Sequence, residues 1–247
     1  MLFFKFQKIG LLAILLSSST ASLLWPFPTS ATENAKKFQP VLDFDKDGCY
    51  HTAAIDQAGS VNAGLHPLEE GECRAQSQLW FSQTYVRQHC NHGWCAYLYG
   101  YYFEKDKRGT FADGHRHDWE HVIVWTLNDE VFYVSWSGHG GYTTEHQSVV
   151  RFHERTHPKI VYHRGGLKNN SFRKAKPEYD DIENISGEWF KAPFLSSEWM
   201  ACDIKKKLLY NNWGSAHPDL RADRFAQALD DAMPPDARNN EHFYPWN

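Results

Sequence analysis

The sequence lacks both an excess of positive charge and, beyond its first residues, any long hydrophobic run. Its 26 Lys and Arg residues are balanced by 30 Asp and Glu residues, so the formal net charge is −4. This balance leaves no basic stripe for nucleic acid and no cationic helix that would attack a membrane directly. No later segment supplies the roughly 18 uninterrupted apolar residues of a membrane span. We therefore expect a soluble mature protein with no nucleic-acid partner and no transmembrane segment.

The first residues are organised differently from the rest of the chain. Lys5 and Lys8 precede an apolar run at 9–16 and small residues at 17–21, which is the order of parts in a secretory signal peptide. Cleavage after Ala21 or after Ala31 fits this pattern equally. We expect residues 1–21 to be the signal, 22–37 a leader with little structure, and 38–247 the folded domain. The sequence thus predicts a secreted, extracellular protein.

Cysteine is scarce, with five residues in 247. Four of them precede the middle of the chain, and in an oxidising compartment they predict two disulfides, for which three pairings are open. These four are Cys49, Cys73, Cys90 and Cys95, and Cys202 is left over. A zinc site formed by Cys90 and Cys95 with His89 and His92 is the alternative, but the further ligand spacing of a zinc finger or ribbon is missing.

Aromatic residues are plentiful, and with a hydrophobic fraction of 42% they can fill a sizeable core. Short β-rich runs separated by Gly and Asn-Asp turns favour a mainly β, single-domain sandwich over alternating β-α units. The predicted strands are 80–86, 96–103, 121–127, 131–136, 148–152 and 159–163, and one helix is predicted near 220–232. Trp119, Trp125 and Trp136 lie in apolar alternation, which predicts core positions and not sugar platforms.

The most informative segment is Gly-His-Arg-His-Asp-Trp-Glu at 114–120, which runs into the apolar segment 121–125. As a helix, it would place His117 and His121 four residues apart with Asp118 beside them, as in a zinc hydrolase. As a strand, it would place Arg116, Asp118 and Glu120 on one face and His117, Trp119 and His121 on the other. The β-branched residues that follow favour the strand. Two carboxylates on one strand face predict a calcium or magnesium site, joined by His115 directly or through water.

A second candidate calcium site precedes the first cysteine. Asp43, Asp45 and Asp47 with Gly48 form the opening half of an EF-hand loop. The bidentate Glu expected at the twelfth position is replaced by Ala54. A helix-loop-helix EF-hand is therefore excluded, while an Asp-rich turn that binds calcium and an ordinary solvated turn both remain.

These blocks together resemble the necrosis- and ethylene-inducing peptide 1-like proteins, a family of secreted cytolysins that act on plants. The resemblance lies in GHRHDWE itself and in four flanking blocks in the family's order: CNHGWCAYLYGYYFEKD at 90–106, SGHGGY at 137–142, HPKIVYHRGG at 157–166 and NNWGSAHPDL at 211–220. It covers roughly residues 41–220. The cysteines match the four-cysteine subgroup, which implies the pairs Cys49–Cys73 and Cys90–Cys95 and a calcium site at the Asp-rich turn.

The resemblance implies a β-sandwich with a few peripheral helices, similar to actinoporins and lectins, that holds one divalent cation in an acidic cavity. The implied metal ligands are Asp106, His115, Asp118 and Glu120. The loop before His115 is one residue longer than in relatives, so Asp113 competes with Asp106 for the upstream position.

Other residues implied at the cavity or headgroup are His139, Asn170 and Arg116, the last of which we expect to hold carboxylates by a bidentate pair. Asn170 stands where relatives often have a histidine. The implied function is a monomeric, non-enzymatic cytolysin. It would bind glycosylinositol phosphorylceramide sphingolipids of plant plasma membranes through magnesium or calcium. A non-cytotoxic lectin-like relative and a metal-dependent hydrolase using His117, Asp118 and His121 are the alternatives.

Overall fold

The computed structural model describes residues 23–67, 73–106, 114–165, 169–179, 181–239 and 243–246. The signal peptide predicted at 1–21 and the rival metal ligand Asp113 lie outside the described residues. Within them, no helix is long and apolar enough to cross a membrane.

Two β-sheets dominate the fold. The strands are β1 (Val41–Phe44), β2 (Thr84–Asn91), β3 (Trp94–Asp106), β4 (His115–Leu127), β5 (Glu130–Gly138), β6 (Gly141–His146), β7 (Phe152–His153), β8 (His157–Arg164), β9 (Asn170–Lys174) and β10 (Phe194–Ser196). The larger sheet has the order β10-β2-β3-β4-β5-β6, and in the smaller sheet β8 pairs with β1, β7 and β9. The mainly β prediction is therefore confirmed.

The two sheets pack face to face through an aromatic core. Alternation along β3 sends Tyr97, Tyr99, Tyr101 and Phe103 into this core, where the small sheet contributes residues such as Tyr162. Phe103 and Tyr162 stack with ring centroids 3.8 Å apart. Alternating residues on the long central strands therefore hold the sandwich together.

The other face of the large sheet is covered by helices. The helices are α1 (Glu33–Lys37), α2 (Gln76–Trp80), α3 (Cys202–Tyr210), α4 (Ala222–Asp231) and α5 (Pro235–Asn239), with 3₁₀ turns at Gln147–Val149 and Pro177–Tyr179. Leu208 of α3 and Phe225 of α4 pack on Trp125 and its neighbours in a second core. Gly100 of β3 permits this close packing, because a Cβ there would lie 2.6 Å from Leu220 Cδ1.

Several sequence predictions are confirmed and three need correction. The predicted strands at 96–103, 121–127, 131–136 and 159–163 lie within β3, β4, β5 and β8, and the predicted helix contains α4. Trp80 ends α2 and is exposed instead of beginning a strand. Of the predicted strand 148–152, residues 148 and 149 lie instead in the 3₁₀ turn Gln147–Val149, and only Phe152 lies in a strand, β7. The His146 side chain caps this turn by accepting a hydrogen bond from the Ser148 N–H.

The leader is also more structured than predicted. Ser30 pairs with Leu195 of β10, and Thr32 caps α1 by accepting a hydrogen bond from the Ala35 N–H. Ala35 is buried in the sandwich core, and its carbonyl accepts a hydrogen bond from the Tyr99 hydroxyl. The prediction of little structure is therefore wrong for residues 30–37.

The disulfide predictions are confirmed. Cys49 bonds to Cys73 and Cys90 bonds to Cys95, the second pair lying opposite each other at the tip of the β2–β3 hairpin. This bond excludes the alternative zinc site on those two thiolates. Cys202 is free and exposed at the start of α3.

Candidate functional site

A cavity of about 1030 Å³ opens beside the first residues of β4. Its walls come from the end of β3, the start of β4, the β5–β6 turn, the start of β9, the segment after α3 and the exposed face of α4. The lining residues are Asp106, His115, Asp118, Trp119, Glu120, His121, Ser137, Gly138, His139, Gly140, Gly141, Tyr142, Asn169, Asn170, Ser215, Ala216, His217, Asp219, Asp223, Arg224, Gln227, Ala228 and Asp231. The sheet, a hairpin turn and a helix therefore meet around one opening.

The heptapeptide forms the start of β4, so the strand interpretation is confirmed and the helix required by the hydrolase alternative is wrong. The register places Asp106 of β3 opposite His115 and Phe103 opposite Asp118. Antiparallel pairing thus brings the upstream aspartate to the same end of the sheet as the heptapeptide carboxylates. Asp106 thus lies in the cavity lining together with His115, Asp118 and Glu120.

Strict alternation fails at one residue of the heptapeptide. His117 has a φ of 65°, in the left-handed region that non-glycine residues rarely adopt. A Cβ on Gly64 would lie 2.6 Å from His117 Nδ1 and 2.8 Å from Arg116 Cγ, so both side chains pack against this glycine. Arg116 and His117 therefore share one side.

This change of direction removes Arg116 from the cavity lining. The Arg116 guanidinium donates to the carbonyl oxygens of Ala63 and Gly64, at 3.0 and 3.1 Å. The expected bidentate pair with a carboxylate is therefore wrong. Arg116 instead links the start of β4 to Ala63 and Gly64, which lie within the loop closed by the Cys49–Cys73 disulfide.

Buried carboxylates line one part of the cavity, which we call the carboxylate end (Asp106, His115, Asp118 and Glu120). The three acidic residues are only 1%, 8% and 7% exposed. Burial and then the charge of Asp106 raise the pKa of Asp118 well above its usual value, while burial and the charge of Asp118 do the same for Glu120. Mutual repulsion in a dry environment therefore opposes full ionisation of this end.

Each carboxylate is held by a neutral donor. The Tyr162 hydroxyl donates to Asp118 Oδ2 over 3.2 Å, and the Ser137 hydroxyl donates to Glu120. The Asn170 N–H donates to Asp106 Oδ1 over 3.0 Å, and His115 Nε2 lies 3.4 Å from Asp106 Oδ2. These contacts fix the carboxyl groups in place while leaving oxygen lone pairs for another ligand.

The donor set at the carboxylate end suits a hard divalent cation in its chemistry. Carboxylate oxygens are the groups that calcium and magnesium prefer, and a cation would relieve the repulsion among them. As the side chains stand, no three His, Cys, Asp or Glu groups in the described part of the chain converge closely enough to hold an ion. The ligand types and the charge fit a cation, whereas the convergence of the side chains is incomplete.

The remaining part of the cavity, the α4 end (Tyr142, His217, Asp219, Gln227 and Asp231), is built around Asp219. The Tyr142 hydroxyl donates to Asp219 Oδ2 over 2.8 Å, and His217 Nδ1 lies 3.1 Å from Oδ1. Burial opposes ionisation, but His121 and the hydrogen bonds from His217 and Tyr142 outweigh it and lower the pKa of Asp219 to about 2. Asp219 is therefore negatively charged at neutral pH in the cavity wall.

His139 and Asn170 lie in the cavity lining, where the sequence placed them. His139 has a φ of 54° in the turn between β5 and β6, next to three glycines. Asn170 is 2% exposed, and its side-chain amide interacts with the Tyr162 hydroxyl, although neither amide atom makes a well-formed hydrogen bond among the described residues. A buried amide that is incompletely hydrogen-bonded costs stability unless a ligand or water completes it.

The Asp-rich turn does not gather its three carboxylates. Asp43 lies in β1 and accepts hydrogen bonds from the N–H groups of Glu183 and Asn184. Asp45 lies 3.3 Å from Arg173, and Asp47 lies 3.6 Å from Arg164. Parallel pairing of β1 with β8 spreads the three side chains toward different partners. The structure therefore brings the carboxylates to protein donors and not to one calcium position.

Sequence reasoning missed Tyr162, Ser137, Tyr142 and the pair His217–Asp219 as parts of the site. The first three belong to apolar or glycine-rich strand segments, whose pattern gives no sign of a polar role. The segment HPD at 217–219 was quoted only as part of a matching block. A tertiary contact brings this segment beside β4, because the Asp219 N–H donates a hydrogen bond to His121 Nε2 over 2.9 Å.

Comparison with families and curated proteins gives one consistent group. The family model described as Necrosis inducing protein (NPP1) matches residues 32–232. The chain is 34% identical over 154 residues to NLP effector protein 10 of Phytophthora capsici, covering 60% of this chain and 65% of that protein. It is 36% identical over 123 residues to Necrosis-inducing protein NPP1 of Phytophthora nicotianae, covering 47% and 51%. The chain thus spans 51% to 65% of the length of these relatives.

Solved structures share the fold. NLPPya in complex with mannosamine matches with a TM-score of 0.71 and 25% identity, covering 85% of this chain and 96% of that one. The same protein was also solved with glucosamine. A structure described as the non-toxic HaNLP3 protein matches with a TM-score of 0.70 and 24% identity, covering 85% and 97%. Similar folds therefore include a protein that binds amino sugars and one that is not toxic.

Proposed function

The chain belongs to the necrosis-inducing protein (NPP1) family, and on this premise we propose that it is a secreted, non-enzymatic cytolysin that damages plant plasma membranes. Its target is the sugar headgroup of glycosylinositol phosphorylceramide, bound through one magnesium or calcium ion in the cavity. The observation that supports this proposal is the set of three buried carboxylates, Asp106, Asp118 and Glu120, gathered at one end of the sheet.

The cation has a physical reason to bind there. Without it, burial and mutual repulsion raise the pKa values of Asp118 and Glu120. A divalent ion would remove this penalty while keeping coordination positions open for sugar hydroxyls. His115 holds Asp106 from the side, so its role is to orient a ligand or to join it through water.

The buried amide of Asn170, which is incompletely hydrogen-bonded, adds a group for the headgroup itself. It offers one acceptor and two donor hydrogens inside the same cavity as the carboxylates. Sugar hydroxyls are matched partners for such an amide. The two structures with amino sugars show that a related fold accepts ligands of this class.

A non-cytotoxic, lectin-like relative is the second candidate. HaNLP3, described as non-toxic, has nearly the same TM-score as the sugar-bound NLPPya, so the fold alone does not carry toxicity. Such a protein would bind the headgroup without damaging the bilayer.

Dye leakage from vesicles that contain plant glycosylinositol phosphorylceramide tests the proposal. We expect leakage for the wild type in magnesium or calcium, loss of leakage with a chelator, and loss in Asp118→Asn, which keeps the side-chain shape but removes the charge. Asp203→Asn is the matched control, because Asp203 is exposed on α3 and outside the cavity lining. Chelator-resistant leakage, or full leakage by Asp118→Asn, would refute the cation mechanism. Binding without leakage would identify the lectin-like alternative.

A further inference from the structure

The hairpin that joins β7 to β8 carries metal-binding side chains outside the cavity. Residues 153–157 read His-Glu-Arg-Thr-His. His153 pairs with His157 across the two antiparallel strands, and the centroids of their rings lie 6.4 Å apart. Neither histidine belongs to the lining of the cavity at the start of β4. The hairpin therefore presents two imidazoles side by side at a second place in the fold.

Glu154 adds a carboxylate that contacts both imidazoles. Its Oε1 lies 3.7 Å from His153 Nε2, and its Oε2 lies 3.7 Å from His157 Nε2. Glu154 and Arg155 form the turn with φ values of 50° and 68°, in the left-handed region that non-glycine residues rarely adopt. Strained turns of this kind are concentrated at ligand-binding sites. Two nitrogen ligands and one carboxylate are thus held together by a single tight turn.

His157, the buried member of the group, is already oriented as a metal ligand. Its Nδ1 lies 2.7 Å from the carbonyl oxygen of Gln39, which can only accept a hydrogen bond, so Nδ1 carries the proton. In the neutral ring the lone pair is then on Nε2, the atom that faces Glu154. Burial is the main cause that lowers the pKa of His157, which keeps the ring neutral at neutral pH. A backbone carbonyl behind the second ring nitrogen is the usual arrangement for a histidine that binds a metal.

A positive charge already lies beside this group. The Lys191 ammonium lies 3.3 Å from His157 Nε2 and 4.0 Å from Glu154 Oε2. The imidazole lone pair and the carboxylate therefore attract a cation to the space between them. The Lys191 side chain is 38% exposed, so it can turn into solvent when a metal ion takes its place.

The three ligand groups stand slightly too far apart as they are. Tetrahedral zinc with bonds of about 2.0–2.1 Å places neighbouring ligand atoms about 3.3 Å apart, against the 3.7 Å found between Glu154 and each imidazole. This spread agrees with the lack of a closed metal cluster in the described part of the chain. The side chains of His153 and Glu154 are 42% and 67% exposed, so small rotations of both can close the gap without disturbing the core.

We propose that His153, Glu154 and His157 bind one zinc ion, with water in the fourth coordination position. Two imidazoles and a carboxylate suit zinc, whereas calcium and magnesium prefer oxygen ligands alone. The site is therefore independent of the cation proposed in the cavity and goes beyond the proposed function. In zinc proteases the pattern H-E-x-x-H lies on a helix and its Glu is the general base. In this hairpin the Glu is a ligand, and the zinc ion fastens β7 to β8.

Calorimetric titration of the whole protein with zinc chloride, in excess magnesium, tests the proposal. We expect His153→Gln to bind zinc at least about tenfold more weakly than wild type, because even the loss of a partner behind a ligand costs that much. Lys191→Met should bind zinc severalfold more tightly, because the competing ammonium is removed. His66→Gln is the matched control and should keep the wild-type affinity, since His66 is exposed and lies outside both the hairpin and the cavity lining.

Asp118→Asn separates the two sites, because it changes a carboxylate of the cavity and leaves the hairpin intact. It should bind zinc at the hairpin as the wild type does. A wild type that binds no zinc, an unchanged affinity in His153→Gln, or loss of zinc binding in Asp118→Asn would each overturn the hairpin site. Zinc should also raise the Tm of the wild type more than that of His153→Gln. An equal rise in both would contradict a zinc ion that joins β7 to β8.

Discussion

His51 should make the folded protein sensitive to mild acid, and replacing it should remove part of that sensitivity. Its imidazole is 0% exposed, and neither ring nitrogen has a hydrogen-bond partner among the described residues. It stacks on Phe44 at 5.5 Å and meets the edge of Tyr101 at 5.3 Å. Burial among these rings lowers the pKa of His51 from 6.5 to about 3.

The sign follows from proton binding in the two states. The unfolded chain takes up a proton below pH 6.5, whereas folded His51 stays neutral down to about pH 3. Stability is therefore present above pH 6.5 and is lost as the pH falls toward 3. Between pH 7 and pH 5 the linkage relation gives a loss of about 2 kcal/mol from this residue. His51→Phe fills the same aromatic space and carries no titrating group, so it should lack this loss.

Urea unfolding at pH 7 and pH 5 provides the assay, with wild type and His51→Phe measured together. All other titrating groups are shared, so the difference between the pH dependences isolates His51. We expect wild type to lose about 2 kcal/mol more than His51→Phe, or about 4–8 °C in Tm. Equal pH dependence in wild type and His51→Phe would refute the buried, neutral imidazole.

Three further predictions concern packing, covalent links and the cation. Gly100→Ala should destabilise the fold by about 1–3 kcal/mol in urea unfolding, because the added Cβ would lie 2.6 Å from Leu220 Cδ1. A variant as stable as the wild type would contradict this packing. Replacing both cysteines of Cys49–Cys73 with alanine should lower the free energy of unfolding by about 3.5 kcal/mol, against about 2 kcal/mol for Cys90–Cys95, because the first disulfide closes the longer loop. The reverse order would contradict the explanation by chain entropy. Magnesium or calcium should raise the Tm of wild type but not of Asp118→Asn in differential scanning fluorimetry, and an equal rise in both would place the ion elsewhere.

Local patterns predicted much of the fold correctly. The long central strands are rich in aromatic and β-branched residues, so the segments at 96–103 and 121–127 were correctly predicted as parts of β3 and β4. The errors arose where tertiary contacts replaced local preference. Trp80 belongs to a helix despite an aromatic, strand-like segment, and the first two residues of 148–152 lie in a 3₁₀ turn that His146 caps. Alternation could not predict the left-handed His117, which turns Arg116 away from the cavity.

The sequence by itself determined the sandwich, the disulfide cysteines and the heptapeptide strand, because runs of β-forming residues, turn residues and a dense motif are properties of neighbouring residues. It also predicted Asp118 and Glu120 as carboxylates on one strand face, and the resemblance added Asp106 as the upstream carboxylate. Only the tertiary structure decided how those groups meet. The segment between α3 and α4 brings Asp219 to His121, next to the heptapeptide, and β8 brings Tyr162 to Asp118. Such contacts join residues roughly 44 to 100 positions apart, and no local pattern records where the chain will return.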